Sequence, residues 1–227
     1  MNIVYGVTGS IAAFKAAEIV SKLKSLGFDI TVIMTKSAQK FVSPLTFRTL
    51  SQNKVITDVF IEENACDPQH VSLSNKADVI VIAPATANII GKIASGIADD
   101  ALTSIVMVVT NIPVLIAPAM DDRMYLNPIT QKNIKKLQKV GYKFIGPEKG
   151  RLASGRIGVG RMADVELIIQ SIIDEHENKS NQNVNILVEG IDAENKTKNK
   201  KKKRLRRPAI TKIYESSGKR HGSVRGS

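Results

Sequence analysis

The hydrophobic positions of this chain switch repeatedly between a strand-like and a helix-like spacing. Residues 2–5 form a short apolar start, and from residue 12 onward Ala12, Ala16, Ile19, Val20 and Leu23 recur at helical intervals, with Lys15, Glu18, Lys22 and Lys24 left for solvent. Gly27 closes that helix, and the β-branched run at 29–34 predicts a second strand. Strand, helix and strand in this order predict a right-handed parallel crossover. The alternation then returns. Residues 77–83 are a near-continuous apolar run suited to a central parallel strand, 88–94 and 99–108 read as helices, and Asn111-Ile112-Pro113 is a break. A strand at 114–117, a helix at 130–139, a strand at 143–145 and a helix at 163–173 follow. The prediction is an α/β fold: a three-layer, doubly wound, Rossmann-like parallel sheet.

Two stretches resist this pattern. Residues 54–74 are polar and irregular, which predicts a loop with one short element at 55–60. Residues 146–160 hold Gly146, Gly150, Gly155, Gly158 and Gly160, which predicts a second loop without regular structure. Beyond Lys179 the composition shifts to charge. The chain therefore divides into a folded domain over 1–179 and a basic tail over 180–227, expected to be disordered apart from a strand at 184–188.

Composition changes this picture in three places. With 227 residues, 43% of them hydrophobic, the chain can build a sizeable core. The net charge of +12 resides mostly in the tail, because residues 181–227 carry thirteen Lys/Arg against four Asp/Glu. The run from Lys196 to Arg207 reads as a solvated tail, with weak nonspecific contact to nucleic acid or anionic surfaces as the alternative. No apolar run is long enough to span a membrane or serve as a secretory signal. Cys66 is the single cysteine and reads as a surface thiol, which excludes an intramolecular disulfide and a cysteine zinc cage. The expected compartment is the cytoplasm, and no metal is expected.

Candidate chemistry sits at two turns. Gly6-Val7-Thr8-Gly9-Ser10-Ile11 follows the first strand, and Pro84-Ala85-Thr86-Ala87-Asn88 follows the apolar run at 77–83. A buried strand turning into a helix exposes backbone N–H groups and the positive end of the helix dipole, which suits a phosphate. Both turns would open at the carboxyl edge of one sheet, where ligands bind in such folds. Each also has a plainer reading: Gly9-Ser10 as a tight turn, and Thr86 as a helix cap after proline. The first turn lacks the third glycine of the dinucleotide fingerprint, and no GxxxxGK[ST] loop occurs, so a nicotinamide dinucleotide and a nucleoside triphosphate are disfavoured.

Four segments in sequence are far more specific than any one: Gly9-Ser10-Ile11-Ala12-Ala13-Phe14-Lys15, the Pro84 to Asn88 turn, Pro118-Ala119-Met120 with Met124-Tyr125, and Gly158-Val159-Gly160-Arg161-Met162. With them the chain resembles the homo-oligomeric flavin-containing cysteine decarboxylases, and among these the branch acting on 4′-phosphopantothenoylcysteine in coenzyme A synthesis. The resemblance implies an FMN cofactor at the strand ends, across a subunit contact in a homotrimer or dodecamer. It implies that Gly9, Ser10 and Ile11 bracket the FMN phosphate, that Thr35 and Ser37 meet the phosphate or ribityl chain, and that Ala85, Thr86 and Asn88 line the flavin. It assigns His70 as acid/base, and sets Met120, Asp121, Ala153 and Ser154 at the substrate, with Ser154 on a loop that closes over it. The implied reaction oxidises the substrate thiol to a thioaldehyde, loses carbon dioxide to an ene-thiol, and returns the hydride from reduced flavin.

The chain departs from that family at two positions. Where the family has an asparagine that contacts the substrate carboxylate, this chain has Asp121, whose charge would repel the substrate unless Arg123, Arg156 or another cation intervenes. Where the family has a proton-donating cysteine, this chain has Ser154, a much poorer acid than a thiol. The pair would compensate if a protonated Asp121 donated the proton that Ser154 cannot. The alternatives are a non-catalytic FMN-binding partner protein, and a peptidyl-cysteine decarboxylase whose oxidised ene-thiol is the final product. A flavin prenyltransferase fits less well, because residues 11–15 match the decarboxylase branch. The tail resembles a remnant of, or a linker to, the ligase half of bifunctional family members, and is too short and too charged for ligase activity to be expected.

Overall fold

Five strands form the central sheet of the computed structural model: β1 (Asn2–Val7), β2 (Asp29–Met34), β3 (Val79–Ala85), β4 (Val114–Pro118) and β5 (Lys143–Phe144). Their spatial order is β2-β1-β3-β4-β5, and every neighbouring pair is parallel. The structure describes residues 1–58, 69–109 and 111–178, with the side chains of 69–72 excluded. The helices are α1 (Ala13–Ser25), α2 (Pro44–Ser51), α3 (Gln69–Lys76), α4 (Ala87–Ser95), α5 (Ala101–Val108), α6 (Asp122–Tyr125), α7 (Pro128–Lys139) and α8 (165–178).

Strand periodicity sorts the core into two layers. Ile3, Tyr5 and Val7 of β1, with Ile30, Val32 and Met34 of β2 and Val79, Val81 and Ala83 of β3, face α1, α2 and α8. Val4, Ile33, Ile80, Ile82 and Ile116 face the other way, onto α4, α5 and α7. Helices on both faces explain why β3 reads as continuous apolar sequence: all seven of its residues are buried. The doubly wound sheet predicted from the alternation is the observed fold. Most predicted boundaries shift by one to three residues, and α8 begins later and runs further than 163–173. Gly27, at φ 84°, takes the left-handed conformation just beyond α1. Among the described residues no helix is long and apolar enough to cross a membrane.

Three expectations need correction. Helix α2 is absent from the periodicity reading because it is short and buries one large side chain, Phe47. Local signals define it instead, with Ser43 capping through the Leu45 N–H at 3.2 Å and Pro44 at its first turn. The expected loop at 54–74 ends in α3, and Ile56 bridges Ile33 beside the sheet. Residues 59–68, with part of the element expected at 55–60, and the tail with its expected strand at 184–188 lie outside the described residues.

The third correction bears on function. The glycine-rich stretch is not an irregular loop. It forms an antiparallel hairpin of β6 (Glu148–Arg151) and β7 (Ile157–Arg161), with Gly150 opposite Gly158. Its glycines serve close approach. A Cβ on Gly160 would fall on the Met120 carbonyl oxygen, and one on Gly158 would meet the Asp122 carboxylate at 2.6 Å. The Met120 N–H donates to the Gly160 carbonyl at 3.0 Å, which seats β7 against the turn after β4.

Candidate functional site

Strands β1 and β3 are paired from Ile3 opposite Val79 to Gly6 opposite Ile82, so their two following turns are neighbours at the carboxyl edge. Thr8 ties them together. Its buried hydroxyl donates to the Pro84 carbonyl at 2.7 Å and accepts from the Thr86 N–H at 3.1 Å. Thr86 in turn caps α4 by accepting from the Ile89 N–H, so its plainer sequence reading holds alongside its place on the cavity wall. The bridging role of Thr8 is not legible in sequence, because the partner turn lies 76 residues away. Thr8→Val should leave the Pro84 carbonyl and the Thr86 N–H unpaired and cost about 1–3 kcal/mol. Urea unfolding should show a lower midpoint with an unchanged slope.

The turn after β2 completes one end of the site. Thr35 donates its N–H to the Val7 carbonyl at 3.1 Å, which draws this turn against the end of β1. Gly9 packs so closely on Ser37 that a Cβ there would collide with the serine side chain and lie 3.2 Å from its carbonyl carbon. Ser10 is turned inward on its own loop, its hydroxyl accepting from the Ala12 N–H at 3.3 Å. The N–H groups of Gly9, Ile11, Lys36 and Ser37 make no hydrogen bond among the described residues, which leaves them for an anion.

These turns open into a cavity of about 860 Å³. Of the residues expected at the site, Gly9, Ser10, Ile11, Thr35, Ser37, Thr86, Asn88, Met120, Asp121, Ala153 and Ser154 all line it. Ala85 does not. The sheet register shifts between Ile82 and Ala85, Ala85 is buried in the core layer that also holds Ile89 and Ile90, and its carbonyl accepts from the Ala119 N–H at 2.9 Å. His70 lies in the first turn of α3, and its side chain is outside the described residues. Sequence reading missed the hairpin as a wall. Its tip, Leu152 to Ser154, closes one side of the cavity, and Gly155 turns the chain at φ 82°.

Asp121 is the most strongly held charge here. It caps the short helix α6 through the Arg123 N–H at 3.1 Å, and Arg156 Nη2 reaches both of its oxygens at 2.8 and 2.9 Å while also pairing with Asp122. The Arg156 guanidinium, helped by the Arg123 N–H, holds the Asp121 carboxyl down at about 2. A folded-state value below the unfolded one means that this pairing stabilises the protein above about pH 4 and is lost as pH falls toward 2. Asp121 is therefore ionised near neutrality. This pairing disfavours a protonated Asp121, and the expectation that Arg156 intervenes describes the observed pair.

The cavity fits a flavin mononucleotide. A phosphate would meet the unpaired N–H groups and hydroxyls at one end, while Ile11, Phe14, Met120, Met124, Leu152 and Met162 would offer apolar surface to a planar ring. Among the described residues no cluster of His, Cys, Asp or Glu could hold a metal ion. The sequence pattern of the Flavoprotein family matches residues 1–177. This chain belongs to that family.

Curated relatives of the flavoprotein divide by length. It is 48% identical over 169 residues to the coenzyme A biosynthesis bifunctional protein CoaBC of Bacillus subtilis, covering 74% of this chain but 41% of the relative. The chain thus spans less than half of that bifunctional protein. It is 42% identical over 175 residues to a Streptococcus mutans protein named "Probable phosphopantothenoylcysteine decarboxylase", covering 77% of this chain and 98% of the relative. Among solved structures, a PPC decarboxylase cysteine-to-serine mutant complexed with pantothenoylaminoethenethiol superposes with a TM-score of 0.70 at 33% identity, covering 78% of this flavoprotein and 98% of that chain. The FMN binding protein AtHal3 follows at a TM-score of 0.69 and 32% identity, covering 78% and 97%.

Proposed function

We propose that this flavoprotein binds FMN and decarboxylates 4′-phosphopantothenoylcysteine to 4′-phosphopantetheine. The observation that carries this reading is convergence: segments at residues 8–15, 35–37, 86–92, 119–124 and 151–162 close around one cavity. The names of the relatives and of the structural neighbours point the same way. Bound FMN supplies a hydride acceptor and donor, so that the substrate thiol carbon can become an electron sink and then be restored. Gly9, Ser10, Ile11, Thr35 and Ser37 hold the phosphate end of that cofactor, and Thr86 and Asn88 border its ring. Met120 and Ala153 flank the substrate. His70 holds or removes the thiol proton, a role suited to an imidazole near neutral pH. Asp121, kept anionic by Arg156, positions the hairpin rather than moving a proton. We place the protein in the cytoplasm as a homotrimer or dodecamer, an assembly that would cover the exposed Ile11 and Phe14 beside the cavity.

The test is direct. Flavin-loaded protein mixed with 4′-phosphopantothenoylcysteine should release carbon dioxide and yield a free thiol, and flavin-loaded protein that releases none would overturn the reading. A second reading rests on Ser154 and the ionised Asp121, which leave no good acid for the final protonation. In it the ene-thiol is the product, two hydrogens lighter, and an external oxidant is consumed in equal amount. Ser154→Cys separates the two, since it should raise full turnover about tenfold or more if protonation limits the reaction.

A further inference from the structure

The cavity carries more positive charge than a single cofactor phosphate uses. Lys15, Lys36, Lys92, Arg151 and Arg161 all border it. Three of these are already engaged by carboxylates. Lys92 pairs with Asp99 at 2.7 Å, Arg161 with Glu148 at 2.6 Å and Asp164 at 3.0 Å, and Lys15 lies 3.9 Å from Asp164. Arg156, next to the hairpin tip, is held by Asp121 and Asp122 and does not line the cavity. Among the described residues, Lys36 and Arg151 are the cavity cations without a carboxylate partner.

These two occupy different elements. Lys36 lies between Thr35 and Ser37, on the turn that packs against Gly9, where the cofactor phosphate is expected. Arg151 ends β6 on the hairpin, directly before the tip residues Leu152, Ala153 and Ser154, and its side chain is exposed. An unpaired guanidinium on a ligand cavity, beside a wall that contacts substrate, suits a planar, bidentate partner such as a phosphate or carboxylate.

Resting on the decarboxylase reading, we infer that Arg151 is the specificity-determining residue that recognises the terminal phosphate of the substrate. The scissile carboxylate is the poorer candidate on energetic grounds. That carboxylate loses its charge as carbon dioxide departs, so a guanidinium bound to it would stabilise the ground state more than the transition state and slow the reaction. A phosphate that keeps its charge throughout is bound equally in both states, and such an interaction tightens binding without changing the chemical step. Arg156 cannot take this role without releasing two aspartates, and that pairing is what leaves recognition to Arg151.

The experiment compares 4′-phosphopantothenoylcysteine with pantothenoylcysteine, which lacks the phosphate, on flavin-loaded wild type, Arg151→Gln and Arg151→Lys. Wild type should prefer the phosphorylated compound in kcat/KM by roughly 10–100-fold, the size of a charge-assisted hydrogen-bonded pair. In Arg151→Gln that preference should collapse toward unity through a higher KM for the phosphorylated compound, with part of it restored in Arg151→Lys. Flavin absorbance after desalting should match wild type, which separates loss of substrate phosphate binding from loss of cofactor. An undiminished preference in Arg151→Gln would overturn the inference. If wild type turns over neither compound, the decarboxylase reading fails, and equilibrium binding of 4′-phosphopantetheine against pantetheine decides the role of Arg151. Equal affinity of wild type for those two would overturn it as well.

Discussion

Gly160→Ala is expected to give a folded protein that no longer retains flavin. The added methyl would occupy the space of the Met120 carbonyl oxygen, a backbone atom that cannot swing aside as a long side chain can. Either β7 or the turn after β4 must move, and the Met120 to Gly160 hydrogen bond of 3.0 Å is lost with that movement. The expected penalty is about 3 kcal/mol, near the upper end for overpacking. Local packing would absorb it, because the hairpin belongs to a separate two-stranded sheet from the five-stranded core. Far-UV circular dichroism should stay close to wild type while flavin absorbance after desalting falls at least tenfold. Gly27→Ala makes a useful contrast. A Cβ there meets nothing within 4 Å, so only its left-handed backbone is penalised, and flavin should be retained.

His70→Asn is expected to show the opposite combination: flavin retained and turnover reduced by about 10²–10⁴-fold. Asparagine keeps a hydrogen-bonding side chain of similar reach but titrates nowhere near neutrality. The decisive readout is the pH profile. If the imidazole accepts the thiol proton, wild-type kcat/KM should rise with pH somewhere between about 5 and 8, because the neutral ring is the active form. His70→Asn should lose that limb and retain a flat, low rate. A variant with near wild-type turnover would remove His70 from the chemistry and shift attention to the hairpin wall.

How much of this was legible in sequence depends on the reach of each signal. The sheet could be read because each of its strands is a local pattern, and burial on both faces turns β3 into an uninterrupted apolar run. The turns after β1 and β3 could be read because turn residues act on their own neighbours. The Thr8 bridge, the pairing of Arg156 with Asp121 and the contact of Gly160 with Met120 all join positions 35 or more residues apart, and periodicity carries no record of them. The hairpin was misread for a related reason. Glycine weakens a strand in isolation, yet here Gly158 and Gly160 are required by what lies opposite. That Ala85 sits in the core and not on the cavity wall goes with a register shift between Ile82 and Ala85, and such a shift leaves little trace in composition.

The Thr8 bridge links pigment to strand pairing. Its bonds to Pro84 and Thr86 exist only while Gly6 sits opposite Ile82, and a slip of one position would turn the hydroxyl to the other face of the sheet. Yellow colour recovered after dilution from denaturant would therefore count the molecules whose central strands have rejoined in register. Chains that regain helical signal yet stay colourless would be the mispaired ones.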